Sequence, residues 1–118
     1  MKLLIVGSRG IDDFDLSPYV TAEVDFIISG GAAGVDTIAE RYADKNGISK
    51  LILKPNYKLY GRCAPLKRNE KMVDVADRVL VIWDGKSKGS LYTIRYAEKI
   101  GKDLAVVDLS ADPLTDNG

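Results

Sequence analysis

Short apolar runs alternate with segments of helical periodicity along almost the whole chain, and this alternation restricts the choice of fold. The run KLLIVG at 2–7 suits a strand that is buried on both faces of a parallel sheet. Four further strands are predicted at 25–29, 50–54, 78–83 and 103–109. The alternation predicts a three-layer α/β fold with a five-stranded parallel sheet and right-handed crossovers.

Capping residues and apolar spacing predict the helices between these strands. Ser17-Pro18 resembles an N-cap followed by proline at the first helical position, which predicts a short helix ending near Glu23. The next helix begins near Gly34 and ends at Asn46-Gly47. One face of this second helix is formed by Val35, Ile38, Ala39, Tyr42 and Ala43.

The second half of the chain continues the same pattern. A third helix is predicted from Ala64 to about Ala76, and a fourth follows the turn at 84–90 and ends at Ile100. The stretch 56–63 has no clear period and is expected to be a loop. We expect one domain over 1–109 and a polar tail at 110–118.

Composition excludes several classes of function. The 118 residues contain 17 basic and 17 acidic side chains, without the basic excess that is typical of proteins bound to DNA. There is no histidine and one cysteine, Cys63, which excludes Ser-His-Asp and Cys-His catalysis and predicts no metal site. Cys63 itself is expected to be a small buried hydrophobe. No apolar run reaches membrane-spanning length, so we expect a cytoplasmic protein without a membrane partner.

Three polar turns that contain glycine follow strands 1, 2 and 4: GSR at 7–9, SGGAAG at 29–34 and DGKSKGS at 84–90. In open parallel sheets, ligands bind beyond the carboxyl ends of the strands, where the strand order reverses. A strand order of 3-2-1-4-5 brings all three turns to one crevice between strands 1 and 4. The three turns together therefore predict a ligand site at that crevice.

The turn after strand 2 has two interpretations. Gly30-Gly31 allow close approach to the backbone, and the N–H groups at the helix start, 34–36, favour an anion. A tight turn that binds nothing explains the double glycine equally well. Asp36 lies in the first helical turn, where it either caps the helix, binds a ribose hydroxyl or activates water.

The turn at 84–90 indicates anion binding more strongly. Ser87 and Ser90 supply hydroxyl groups, and the amides near Gly89 lie at a helix start. Lys86 and Lys88 add positive charge. Glycine, hydroxyls and a helix start coincide here, which favours a phosphate ligand over a solvated loop.

Arginine and aromatic side chains outside this turn extend the candidate site. Arg9 follows strand 1 directly and can bind a phosphate bidentately. Arg68-Asn69 lies within the third helix, and for Arg68 alone a solvated helix face is the simpler interpretation. Trp83 and Tyr57 or Tyr60 could stack on a base, although Trp83 suits packing between strand and helix equally well.

These sequences together resemble the YspA-related branch of the SLOG superfamily, a Rossmann-like group that also includes DprA-like and LOG-like proteins. The resemblance covers nearly all of 1–107. It rests on GSR, SGGAAGVDTIAERYA, APLKRNEKMVDVADRVLVIWDGKSKGS and TIRYAEKIGK, in this order. The order of the set makes it specific, because each motif alone is weak.

The resemblance implies a nucleotide or nucleotide-derived ligand, such as an ADP-ribose-like or NAD-related molecule, and the role of a sensor or processing module. The ligand-binding residues that it implies are Gly7, Ser8, Arg9, Gly30, Gly31, Ala32, Gly34, Asp36, Arg68, Asn69, Asp84, Gly85, Ser87, Gly89 and Ser90.

One departure from the LOG-like enzymes affects the expected chemistry. Those enzymes have a glutamate that acts in cleaving an N-glycosidic bond, and Thr93 stands at that position here. A threonine cannot stabilise an oxocarbenium centre as a carboxylate does. The leading hypothesis is therefore ligand binding, with N-glycosidic cleavage or ribosyl transfer by Asp36 or Asp84 as the alternative.

Two further hypotheses concern partners. Single-stranded DNA binding, as in DprA-like proteins, would need a basic patch such as Arg62, Lys67, Arg68 and Lys71, and the neutral net charge argues against it. A homodimer through a helix face is compatible with the pattern, but no residue selects the face.

Overall fold

The computed structural model describes residues 1–110 and contains one five-stranded parallel sheet in the order β3-β2-β1-β4-β5. The strands are β1 (Lys2–Gly7), β2 (Phe26–Ser29), β3 (Ser49–Ile52), β4 (Arg78–Trp83) and β5 (Asp103–Asp108). The predicted Rossmann-like α/β fold and strand order are thus confirmed. Most of the predicted polar tail, residues 111–118, lies outside the described part of the chain.

Four α-helices connect the strands within the described residues: α1 (Val35–Lys45), α2 (Tyr57–Tyr60), α3 (Ala64–Val75) and α4 (Lys88–Lys99). No helix in this part of the chain is long and apolar enough to cross a membrane. The ends of α1 and α4 agree with the sequence, since Gly47 and Gly101 follow them with φ angles of 66° and 72°.

Both faces of the sheet are covered, as the apolar run of β1 requires. Leu3 and Ile5 belong to the core on the α1 side, whereas Leu4 and Val6 belong to the core beneath α3 and α4. The predicted apolar residues of α1 all pack in or against the first of these cores. The central strands β1 and β4 pair up to Gly7 opposite Ile82, so their carboxyl ends lie side by side.

The helix predicted from Ser17 to Glu23 is wrong. Instead of capping a helix, the Ser17 hydroxyl donates to Asp15 at 2.7 Å, and the Ser17 N–H donates to the same carboxylate oxygen at 3.0 Å. The chain then passes through successive turns that bury Leu16 and Val24 against the α1-side core. The Asp15 carboxylate thus binds the Ser17 N–H and hydroxyl in a local turn, which competes with helix formation.

The loop predicted at 56–63 is also wrong. Asn56 accepts a hydrogen bond from the Leu59 N–H at 3.2 Å and so caps the single turn of α2. A 3₁₀ turn, Gly61–Cys63, then leads directly into α3. Cys63 is exposed in this turn, so its expected burial is wrong as well.

Candidate functional site

A cavity of about 400 Å³ opens between the carboxyl ends of β1 and β4. We call it the crevice. Each of the three polar turns contributes to its lining, and α3 forms a further wall. The predicted site residues that line it are Gly7, Arg9, Ala32, Asp36, Arg68, Asn69, Asp84, Ser87, Gly89 and Ser90. Its volume is in the range of sites for small organic ligands.

Five predicted residues do not line the crevice: Ser8, Gly30, Gly31, Gly34 and Gly85. Ser8 is buried and joins two turns, because its N–H donates to the Ile82 carbonyl at 3.1 Å and its hydroxyl accepts from the Asp84 N–H at 3.0 Å. The serine of GSR therefore holds the first and third turns together behind the crevice.

Gly34 and Gly7 allow the backbone segments around the crevice to approach each other closely. Gly34 has φ 74°, and a Cβ there would lie 2.4 Å from the Ser8 carbonyl oxygen. The Val35 N–H donates to the same oxygen at 3.4 Å. One of the amides expected to attract an anion at the start of α1 is thus paired within the protein. At Gly7, a Cβ would lie 2.2 Å from the Ile82 carbonyl oxygen.

Asp36 is buried and does not cap its own helix, since no side-chain hydrogen bond caps α1. Its Oδ2 accepts from the Ala32 N–H at 3.1 Å, which closes the double-glycine turn. Burial raises the pKa of Asp36, and the Ala32 N–H and the charge of Arg68 oppose this rise. A buried carboxyl group with a raised pKa on a cavity wall is typical of functional sites.

Arg68 is half-buried and reaches the turn after β2. Its Nη1 donates to the Gly30 carbonyl at 2.6 Å and to the Leu53 carbonyl at 3.3 Å. Its Nε donates to Asn69 Oδ1 at 2.8 Å. A guanidinium has five N–H donors, and those on Nη2 have no acceptor among residues 1–110. The sequence expectation of a solvated face for Arg68 alone is therefore wrong, and one edge of the fixed guanidinium is open to a ligand.

Arg9 supplies a second guanidinium to the crevice, from the first turn. It is exposed and has no side-chain partner within residues 1–110. Burial lowers the pKa of Arg68, the positive charge of Arg9 lowers it further, and Asp36 acts in the opposite direction. Both guanidinium groups line the crevice, so an anion bound there would be attracted by both charges.

The turn after β4 places the start of α4 at the crevice. Asp84 folds the turn by accepting from the N–H groups of Lys86 and Ser87 at 2.8 and 2.9 Å. These bonds lower the pKa of Asp84. Ser87 caps α4, and its hydroxyl accepts from the Ser90 N–H at 3.4 Å. A Cβ added at Gly89 would meet no atom within 4 Å, so the backbone of this first turn borders open space.

The crevice also has lining residues that were not predicted: Val6, Gly10, Pro65, Leu66, Met72 and Thr93. Most of them form an apolar wall beside the polar one. Helical spacing could have found part of this wall, because Pro65, Asn69 and Met72 follow one another at four and three residues on one face of α3. Thr93 is buried, and its hydroxyl donates to the Gly89 carbonyl at 3.1 Å.

The aromatic side chains proposed for base stacking lie outside the crevice. Trp83 Nε1 donates to the Ser87 carbonyl at 3.0 Å, and its ring packs against the core beneath α3 and α4. Tyr57 and Tyr60 are exposed on α2. The packing interpretation of Trp83 is therefore the one that the structure supports.

No family model matches the chain. The chain is similar to the Gene 61 protein of Mycobacterium phage D29, with 28% identity over an alignment of 129 positions. The alignment covers 95% of this chain and 98% of the phage protein.

Proposed function

We propose that this protein binds a nucleotide or nucleotide-derived ligand in the crevice. The observation that carries the proposal is that two guanidinium groups, of Arg9 and Arg68, share one cavity with the open first turn of α4. Helix N-termini and arginine side chains both favour phosphate groups. The phosphate groups of a nucleotide would use all three features.

The two walls of the crevice suggest how such a ligand is oriented. A phosphate would lie at the start of α4, where Gly89 gives access to the backbone and the Ser90 hydroxyl has no protein partner among residues 1–110. The base would pack on the apolar wall that includes Leu66 and Met72. Asp36 would then lie near the sugar. The resemblance to the YspA-related SLOG proteins supports the same ligand class, and we propose a cytoplasmic sensor or processing role.

Thermal unfolding with AMP, ADP-ribose and NAD tests this proposal. A ligand at 100 times its Kd stabilises the native state by about 2.7 kcal/mol, which is roughly 10 °C in Tm for a chain of this length. The variant Arg9→Gln should lose most of this shift without lowering the Tm of the free protein, because the Arg9 side chain makes no hydrogen bond or ion pair with residues 1–110.

The matched control is Arg95→Gln, which removes the same charge from an exposed position of α4 outside the crevice. It should retain the full shift. If none of the three nucleotides raises the Tm of the wild-type protein, the proposal is refuted. If Arg95→Gln reduces the shift as much as Arg9→Gln, binding is governed by net charge and not by this site.

A second candidate function is cleavage of an N-glycosidic bond, and the position of Asp36 favours it. Its carboxyl group is buried on the crevice wall and is not a helix cap. In this reaction water attacks C1′ of the ribose and loses a proton to Asp36. The C1′–N bond breaks, its electron pair leaves with the base, and the base takes up a proton from solvent, to which Asp36 later releases its own. Asp84 is the weaker candidate, since its carboxylate is held by two amides of its own turn.

Chromatographic detection of free base tests this second candidate. Wild-type protein incubated with AMP should release adenine, and Asp36→Asn should abolish the release while still binding AMP. Stable binding of AMP to the wild type without any release would leave the binding function and exclude this reaction for AMP.

A further inference from the structure

A second cavity, of about 600 Å³, lies on the other side of Arg68, between the end of β3, α2 and α3. We call it the basic groove; its cationic lining residues are Lys54, Lys67, Arg68 and Lys71. Arg68 lines both this groove and the crevice. The two cavities are therefore neighbours that share one guanidinium as part of their common wall.

The groove has an excess of positive charge. Its lining contains four cationic side chains and two carboxylates, Glu70 and Asp74. Both carboxylates are held by hydroxyl groups of α4, Glu70 by Tyr92 and Asp74 by Tyr96.

The lysines of the groove differ in their pairing. Lys67 lies 3.9 Å from Glu70, whereas Lys54 and Lys71 have no carboxylate within 4 Å among residues 1–110. Two lysines thus remain available to an anion from outside.

The groove also offers surface for a flat group. Tyr60 lines it and is 45% exposed, and Leu59 beside it is 67% exposed. Unpaired cations next to an exposed aromatic ring are the combination that binds a phosphate together with its attached base. The Asn56 cap holds α2, and with it both side chains, against the start of α3.

We propose that the ligand extends from the crevice past Arg68 into the basic groove, so that it carries two phosphate groups separated by a nucleoside. A 5′-phosphorylated dinucleotide such as pApA has this chemistry, whereas AMP fills the crevice alone. This inference rests on the proposed function and narrows its ligand class. Arg68 lines both cavities, so its guanidinium would contact the ligand between the two phosphate groups.

Calorimetric titration of AMP and pApA into the wild-type protein and into Lys54→Gln/Lys71→Gln tests the inference. Both lysines are exposed and unpaired within the described residues, so the variant should melt like the wild type. The wild type should bind pApA more tightly than AMP. The variant should bind AMP as the wild type does but bind pApA about tenfold more weakly, because one charge-assisted contact is worth about 1.4 kcal/mol or more. The matched control, Lys45→Gln/Lys99→Gln, removes two exposed lysines from the ends of α1 and α4 and should change neither affinity.

Each alternative result has a distinct meaning. Equal affinities of the wild type for AMP and pApA, or equal losses for both ligands in the variant, would overturn the inference and leave the proposed function intact. Failure of both ligands to bind the wild type would overturn the inference, and it would refute the proposed function as well only if ADP-ribose and NAD also fail to stabilise the protein. An affinity that keeps rising from pApA to a ten-nucleotide pA strand would assign the groove to nucleic acid and overturn the small-ligand class.

Discussion

Replacing Gly89 by alanine should stabilise the free protein and weaken ligand binding. Gly89 is in the first turn of α4 and lines the crevice, and a Cβ there would meet no atom within 4 Å. Alanine is favoured over glycine in a helix by at most about 1 kcal/mol, so we expect a gain of roughly 0.5–1 kcal/mol. The entropy of unfolding for a chain of this length is about 0.25 kcal/mol per kelvin, which converts the gain into a Tm rise of about 2–4 °C.

The same methyl group would occupy the space that a phosphate needs to reach the amides of this turn. Loss of one such charge-assisted contact should weaken binding by about tenfold or more. The assay is thermal unfolding without ligand, followed by calorimetric titration with AMP or ADP-ribose. We expect this one substitution to raise the Tm of the free protein and to lower its affinity for the ligand.

Two results would refute this reasoning. A lower Tm for Gly89→Ala would mean that the backbone of this turn does not have the described conformation or free space. A higher Tm with unchanged affinity would mean that the ligand does not approach the start of α4. A useful contrast is Gly7→Ala, which should destabilise strongly, because its Cβ would overlap the Ile82 carbonyl oxygen at 2.2 Å.

Three other substitutions test single contacts of the site. Asp36→Asn should raise the free energy of unfolding at pH 7, because the raised pKa of Asp36 means that its ionised form destabilises the fold. Urea titrations should show equal free energies of unfolding for variant and wild type below the unfolded pKa of about 3.8. The advantage of the variant should grow as pH rises through the folded pKa. A lower stability of that variant at pH 7 would mean that attraction to Arg68 outweighs burial. Gly34→Ala should cost more than about 2 kcal/mol in the same urea assay, owing to its φ of 74° and the nearby Ser8 carbonyl, and a loss within error would contradict the close approach. Ser8→Ala should cost about 1–3 kcal/mol by leaving the Asp84 N–H without its acceptor, and a neutral result would show that water replaces the hydroxyl.

The strands, the strand order and the position of the crevice could be predicted because they depend on local patterns. The apolar run of β1 requires burial on both faces, and the turns at 7–9, 29–34 and 84–90 follow strands that one topology brings together. The predictions of secondary structure at 17–23 and 56–63 were wrong because a nearby side chain forms a local hydrogen bond there. Asp15 binds the Ser17 hydroxyl that would have capped a helix, and Asn56 caps a single helical turn in an apparent loop.

The sequence by itself therefore determined the architecture and the three polar turns, since strand burial, helix capping and glycine turns are encoded within a few residues. Only the tertiary structure decided which polar groups remain open to a ligand. The Ser8 carbonyl accepts from an amide at the start of α1, and Arg68 reaches Gly30, 38 residues away. Such partners are selected by the packing of distant segments, and no local pattern contains that information.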